Sequence, residues 1–346
     1  MADDVNKTRA GSKETYDDRP FHSDDLPPEV RAPLAPYKGE PPPAPAWFQW
    51  AIAQEPERTF VESQGAKLEA LTWGELGRPG LLLVHGNSAH ADWWSFIAPY
   101  LAKDYRVTAM SLVGMGDSDW RQIYRFHDFA HDADAVAKAT GLFADGQKPI
   151  YIGHSFGGGQ VFFAAARYPE QMRAAVLVDT GFGGPPPEVL EERRKRQELL
   201  ANIPSADKPS RVYATLEAAL ARFRLMPPQP AENHYILDFI ARRSLKRAPL
   251  PDGGEGYAWK FDPNMWEKLD RTDGNFGGEM PKLHVPMIHL YGDKSRIIER
   301  RASGEKSFLD DQVDEIEIPD SHHHVMIDQP LALVAALRTL LATWPG

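Results

Sequence analysis

From about residue 59 onward the chain alternates short β-rich runs with stretches of helical apolar spacing. The runs are RTFVES, KLEALTWG, GLLLVHG, YRVTAMSL, PIYIGH, AAVLVD, PMIHLYG and DEIEIPD. Around them, DWWSFIAPYLA, FHDFAHDADAVAKA, FGGGQVFFAAARY and QPLALVAALRTLLATW carry the apolar spacing of helices. Such alternation demands crossovers, and crossovers make a parallel sheet covered by helices. The expected fold is therefore α/β, a mostly parallel eight-stranded sheet flanked by helices. The alternation breaks between Gly181 and Lys282, where PPEVLEERRKRQELLAN, SRVYATLEAALARFRL and AENHYILDFIARRSL look helical and the turn-rich DGGEGYAWKFDPNMW follows. This block leaves the sheet and returns to it, so residues 181–282 are expected to form a helical cap inserted after strand six. The core then comprises 46–180 and 283–346.

Residues 1–45 mix opposite charges and end in the proline-rich YKGEPPPAPAW. A segment of that kind buries too little apolar surface to offset its ordering entropy and is expected to be an extended arm. It leaves room for docking a partner or a second subunit. The N-terminal MADDVNKTRAGSKETYDDRP lacks the apolar stretch of a secretory leader, and apolar runs elsewhere stop far short of the roughly 20 residues a membrane helix needs. A cytoplasmic protein without a membrane partner is expected. The formal net charge of −10 argues against nucleic acid and anionic membranes as partners, since both need a basic face. With no cysteine in its 346 residues, the chain has neither thiolate catalysis nor thiolate metal sites.

In YIGHSFGGG, Gly153, His154, Ser155, Phe156 and Gly157 follow a strand run and open a helical one. This is a G-x-S-x-G elbow in the strand–turn–helix context it requires. The turn is so sharp that glycines are needed on either side of the serine. Ser155 then projects its hydroxyl at a helix N-terminus, where backbone N–H groups can stabilise negative charge.

At these residues the chain resembles the α/β-hydrolase fold superfamily, in particular its capped serine esterases and lipase-like members, over roughly residues 59–344. VHGNSAHADWW is similar to the family's His-Gly oxyanion loop, which implies that the backbone N–H groups of Asn87 and Phe156 form an oxyanion hole. SLVGMGDSD is similar to the family's D-x-x-G-x-G-x-S stretch with Ser111 in place of aspartate, a difference read as structural. His85 is assigned a scaffold role.

A serine hydroxyl needs a general base, and the base an orienting acid. DSHHHVMIDQP offers His322, His323 and His324. The family's ending, a Gly-His pair with proline seven residues on, selects His323 by its distance from Pro330 and puts His322 at the glycine. Adjacent histidines on one loop point in different directions, so no metal site and no cofactor are expected. For the acid, the resemblance offers two strand ends. Three residues past Gly292 stands Ser295, which cannot carry the charge, and Asp293 comes only one residue past. Asp179 follows strand six, 24 residues after Ser155, the family's other spacing. Asp179 is the favoured acid and Asp293 the reserve.

A serine nucleophile argues against the haloalkane dehalogenase and epoxide hydrolase branches, which attack with a carboxylate. The resemblance implies a carboxylesterase acting on a small to medium hydrophobic ester, with Trp93, Trp94, Trp259 and Phe261 as substrate-binding residues. Phe223, Leu225, Met226 and Trp266 are further aromatic and aliphatic candidates in the cap. A lactonase, a carbon–carbon bond hydrolase and a cofactor-free perhydrolase share the same machinery. A ligand-binding member of the fold with little turnover is the alternative of another class.

Overall fold

A computed structural model describes residues 26–181, 209–270, 283–296 and 313–344. Its centre is an eight-stranded sheet formed by β1 (Glu57–Ser63), β2 (Ala66–Trp73), β3 (Gly80–Val84), β4 (Arg106–Met110), β5 (Ile150–His154), β6 (Ala174–Val178), β7 (Met287–Gly292) and β8 (Asp314–Ile318). These are the eight runs singled out in the sequence, and they lie in the order β1-β2-β4-β3-β5-β6-β7-β8. β1 pairs antiparallel with β2 and β2 with β4, and every later pairing is parallel. The antiparallel start follows from its connection: Gln64 and Gly65 alone join β1 to β2, both at positive φ, as a tight hairpin of matching twist requires.

Successive strand residues point to opposite faces, and here both faces are covered, so the central strands read as unbroken apolar runs. Leu81, Leu83, Ile150, Ile152, Val176 and Val178 join one core cluster. Leu82, Val84, Tyr151, Ala175 and Leu177 join the other. Helices α1 (Phe126–Ala139) and α2 (Phe156–Arg167) contribute Phe129, Val136, Val161 and Phe163 to the second cluster. Each such side chain contributes about 1.5–3 kcal/mol on burial. DWWSFIAPYLA forms only two short turns, Ala91–Trp94 and Ala98–Leu101. Pro99 has no N–H to give, so it sits only where a helix begins, and the second turn starts just before it.

The described part of the insertion mixes helix with sheet. AENHYILDFIARRSL forms α3 (His234–Arg243), whereas SRVYATLEAALARFRL, read as one helix, splits into the strand Val212–Tyr213 and the short helix Leu216–Leu220 capped by Thr215. The turn-rich stretch supplies Glu255–Trp259, the central strand of a three-stranded antiparallel sheet with Val212–Tyr213 and Leu245–Pro249 on its edges. PPEVLEERRKRQELLAN lies outside the described residues. The final helix, α4 (Pro330–Thr343), places Leu333, Leu337 and Leu341 in the first core cluster.

Residues 26–45 depart from the extended arm expected of them. Leu34 is buried, the Tyr37 hydroxyl lies 2.9 Å from His234 Nδ1, and Arg242 Nη2 donates to the Gly39 carbonyl, so the segment is docked on α3. A few anchoring side chains suffice for this, and average composition hides them. The helix Ala46–Ile52 continues the contact, with Phe48 against the rings of Phe96, Tyr235 and Phe239.

Candidate active site

Ser155 stands between β5 and α2 at φ 51° and ψ −117°, a conformation costly for a side-chain-bearing residue and held only by its surroundings. The neighbouring glycines explain how. A Cβ on Gly157 would lie 2.7 Å from the Val84 carbonyl of β3, and one on Gly153 would lie 2.5 Å from the Gly157 carbonyl. Helix, turn and strand thus close to backbone contact, and the half-buried Ser155 is carried at the C-terminal end of the central strand β5.

His323, on the loop after β8, places Nε2 2.9 Å from Ser155 Oγ and Nδ1 2.7 Å from Asp179 Oδ1. A carboxylate only accepts, so Nδ1 carries the proton, and in the neutral ring Nε2 accepts from the serine hydroxyl. Asp179 is fully buried at the end of β6, at φ 45°. Its Oδ2 accepts from the Gly292 amide at 3.0 Å, and its Oδ1 accepts a second bond from Ser295 Oγ at 2.7 Å. Ser295 therefore supplies a donor to the acid from the place where an acid was sought. Asp293 instead accepts from the Ser321 amide at 3.0 Å, which holds its carboxyl below the usual range, and its described contacts include no histidine.

The loop after β3 brings Gly86 against Ser155: a Cβ there would lie 3.3 Å from the serine Cβ. Asn87 follows directly, half-buried, with its Oδ1 buried and unpartnered. Phe156 is the first residue of α2, and its N–H has no acceptor within the helix. His85 donates Nδ1–H to the Gly86 carbonyl and accepts the Leu112 amide at Nε2. Burial pushes its pKa down to about 3, so it braces the loop as a neutral ring. Ser111 donates to Glu69, a buried carboxylate of β2 paired with Arg58, and so the acid lacking at 111 is contributed by another strand.

The sequence-selected aromatics separate. Trp93 packs its ring 5.6 Å from His324, beside the histidine loop. Trp94 is fully buried in the first core cluster. Trp259 packs within the insertion, edge-on to Tyr213 and tilted against Phe223, and Phe261 bridges to Met115. Trp266 sets its ring edge-on to Phe156 at 5.6 Å, which puts the insertion over the elbow. Leu225 is buried and Met226 half exposed.

Sequence reasoning missed three groups. His154 donates Nε2–H to the His323 carbonyl at 3.0 Å. His324 is buried behind it, and ligating atoms of His154, His323 and His324 all lie within 4.8 Å of one another, a set able to hold a metal ion. Gln229 of the insertion accepts the His324 amide and donates to both oxygens of Asp328, which also receives the His322 amide. No local pattern marks Gln229; its role exists only across the fold.

The sequence signature described as the alpha/beta hydrolase fold matches residues 79–330. The chain belongs to that family. Among its relatives, the bifunctional esterase/perhydrolase DCH of Acinetobacter calcoaceticus is 26% identical over 239 residues, 68% of this chain and 81% of that one. The lipase LipV of Mycobacterium tuberculosis is 29% identical, covering 59% of this chain and 72% of its own length. The thioesterase domain from the curacin biosynthetic pathway superposes with a TM-score of 0.61 at 21% identity, over 83% of this chain and 99% of that one. With esterases and lipases among its relatives, this alpha/beta hydrolase is a hydrolase. No helix among the described residues is long and apolar enough to cross a membrane.

Proposed function

We propose that this chain is a serine hydrolase that cleaves a carboxylic ester of a small to medium hydrophobic substrate through an acyl-enzyme. The observation that carries the reading is the relay from Ser155 Oγ through His323 to the buried, triply bonded Asp179. Ser155 attacks the ester carbonyl as His323 Nε2 takes the hydroxyl proton. The Asn87 and Phe156 amides receive the oxyanion, where such donors are worth about 3–4 kcal/mol each. His323 returns the proton to the leaving alcohol, and water then repeats the cycle and frees the acid. Asp179 stabilises the imidazolium without taking its proton. The esterase and lipase relatives support this reading, and Trp93, Trp266 and Phe156 supply apolar surface near the serine. A perhydrolase activity needs only hydrogen peroxide in place of water at the second step, and the Acinetobacter relative's two named activities favour testing it.

A chain-length series of nitrophenyl esters, hydrolysed by wild type and Ser155→Ala, tests the proposal. Turnover is expected on the shorter acyl chains, falling by about 10⁴-fold or more in the variant. Absence of serine-dependent turnover across esters, lactones and peroxide-coupled assays rejects it.

A further inference from the structure

Three imidazoles meet at the head of the Ser155 site although they come from two distant parts of the chain, His154 from the end of β5 and His323 and His324 from the loop after β8. Their ring centroids form a near-equilateral triangle of 5.0, 5.4 and 4.9 Å. The ligating atoms lie within 4.8 Å of one another. Corners of such a triangle are no more than about 2.8 Å from its centre, against about 2.0–2.1 Å for a Zn–N bond, so each nitrogen has to close by at most about 0.7 Å. Side-chain rotation covers that distance.

In two of the rings one nitrogen is already held by a hydrogen bond of the kind metal-binding imidazoles use. His154 donates Nε2–H to a backbone carbonyl, which leaves a bare lone pair on Nδ1, buried and without a partner. His323 donates Nδ1–H to Asp179. A carbonyl or carboxylate on the far nitrogen fixes the tautomer and raises the basicity of a ligating ring. His324 is 3% exposed and neither of its nitrogens makes a hydrogen bond. The backbone of Met226 and Pro227 lies against the ring and favours an N–H on one nitrogen, which leaves the other to present its lone pair. Buried polar atoms ordinarily find partners, and unpartnered nitrogens on both His154 and His324, beside the Nε2 of His323, call for a ligand. Asp179 offers a negative charge next to the cluster.

We infer that His154 Nδ1, His323 Nε2 and His324 form an inhibitory site for a divalent transition metal that prefers imidazole, with Zn²⁺ as the ion it suits. On binding, the Nε2 lone pair of His323 goes to the metal, the Ser155 hydroxyl keeps its proton and loses its acceptor, and hydrolysis stops. The inhibitory consequence rests on the serine hydrolase reading; the site itself does not. Adjacent histidines alone gave no reason to expect it, because the ligand that completes the set comes from the elbow.

Chelator-stripped protein titrated with zinc in competition with a chromophoric chelator measures binding, and nitrophenyl ester hydrolysis on the same samples measures inhibition. Wild type is expected to bind one zinc per chain at micromolar concentration or below, with turnover falling in step and returning on addition of EDTA. His324→Phe should weaken zinc by about tenfold or more. Ser155→Ala should bind at least as tightly, since no hydroxyl competes for Nε2, and this arm needs no turnover. His154→Leu, read by the same competition, removes a second ligand and serves if His324→Phe does not fold. Zinc bound only at millimolar concentration, or with an affinity unchanged in the folded ligand variants, overturns the site. Tight zinc binding with no ester turnover counts against the hydrolase reading alone.

Discussion

A carboxylate can steady an imidazolium only if its own oxygens are fixed and kept from water. Asp179 meets that condition, with donors from His323, Ser295 and the Gly292 amide on a fully buried side chain. Asp293 sits one strand away and binds the amide of Ser321, as turn aspartates do. Asp179→Asn should therefore lower kcat by about 10³–10⁴ with little change in KM, because the amide favours the wrong tautomer of His323. Asp293→Asn should cost less than about tenfold, since it disturbs turn bonds to backbone amides, worth about 1 kcal/mol each, and no bond to His323. Steady-state kinetics on a nitrophenyl ester, with circular dichroism to match folding, separates the two.

Among the elements, the junction of β3, β5 and α2 tolerates no added atom. Gly157→Ala puts a methyl group against the Val84 and His85 carbonyls, and backbone cannot yield cheaply. A loss of about 1–3 kcal/mol or more is expected, seen as a lower urea midpoint. Gly159→Ala, two residues along the same helix, meets nothing within 4 Å and should instead stabilise by about 0.5–1 kcal/mol. The insertion and the histidine loop are joined by Gln229 and by Asn233, whose amide donates to the Ile327 carbonyl. Gln229→Leu strands the His324 amide and takes two bonds from Asp328, whose carboxyl burial already raises. About 1–3 kcal/mol of stability should go, measured by thermal unfolding, and kcat should fall more than KM rises because His323 loses its support.

At the scale of the whole molecule, buried histidines set the acid limit. Burial pushes His85 and His154 down to about 3 and His90 to about 4, and carries His324 well below its ordinary value. Unfolded, each titrates near 6.5. The folded pKa is the lower one, so the unfolded chain binds more protons at acid pH; stability is complete above about 6.5 and declines as pH falls toward 3–4. Each histidine adds up to about 1.4 kcal/mol per pH unit to that decline. Glu57, held low by its bond to Arg106, adds to the loss only below about pH 4. The urea midpoint should be flat from pH 8 to 7 and fall steeply between 6 and 4, with a shallower fall in His90→Gln. A midpoint independent of pH above 4 contradicts this.

All eight strands, the elbow, α1, α2 and α4 could be read from the sequence because their causes are local: short apolar β-rich runs, helical apolar spacing, and glycines where only glycine fits. The strands Leu245–Pro249 and Glu255–Trp259 could not, since their pattern is half polar and pairing rather than burial makes them strands. Composition likewise concealed the anchors Leu34 and Tyr37 that dock residues 26–45. At the site, spacing selected Ser155 and His323 and left two aspartates in competition. Which carboxylate reaches the imidazole depends on how two neighbouring strand ends splay, and only the folded chain sets that. The same holds for His154, Ser295 and Gln229: each acts on a group more than 90 residues away, through a direction in space that no sequence interval records.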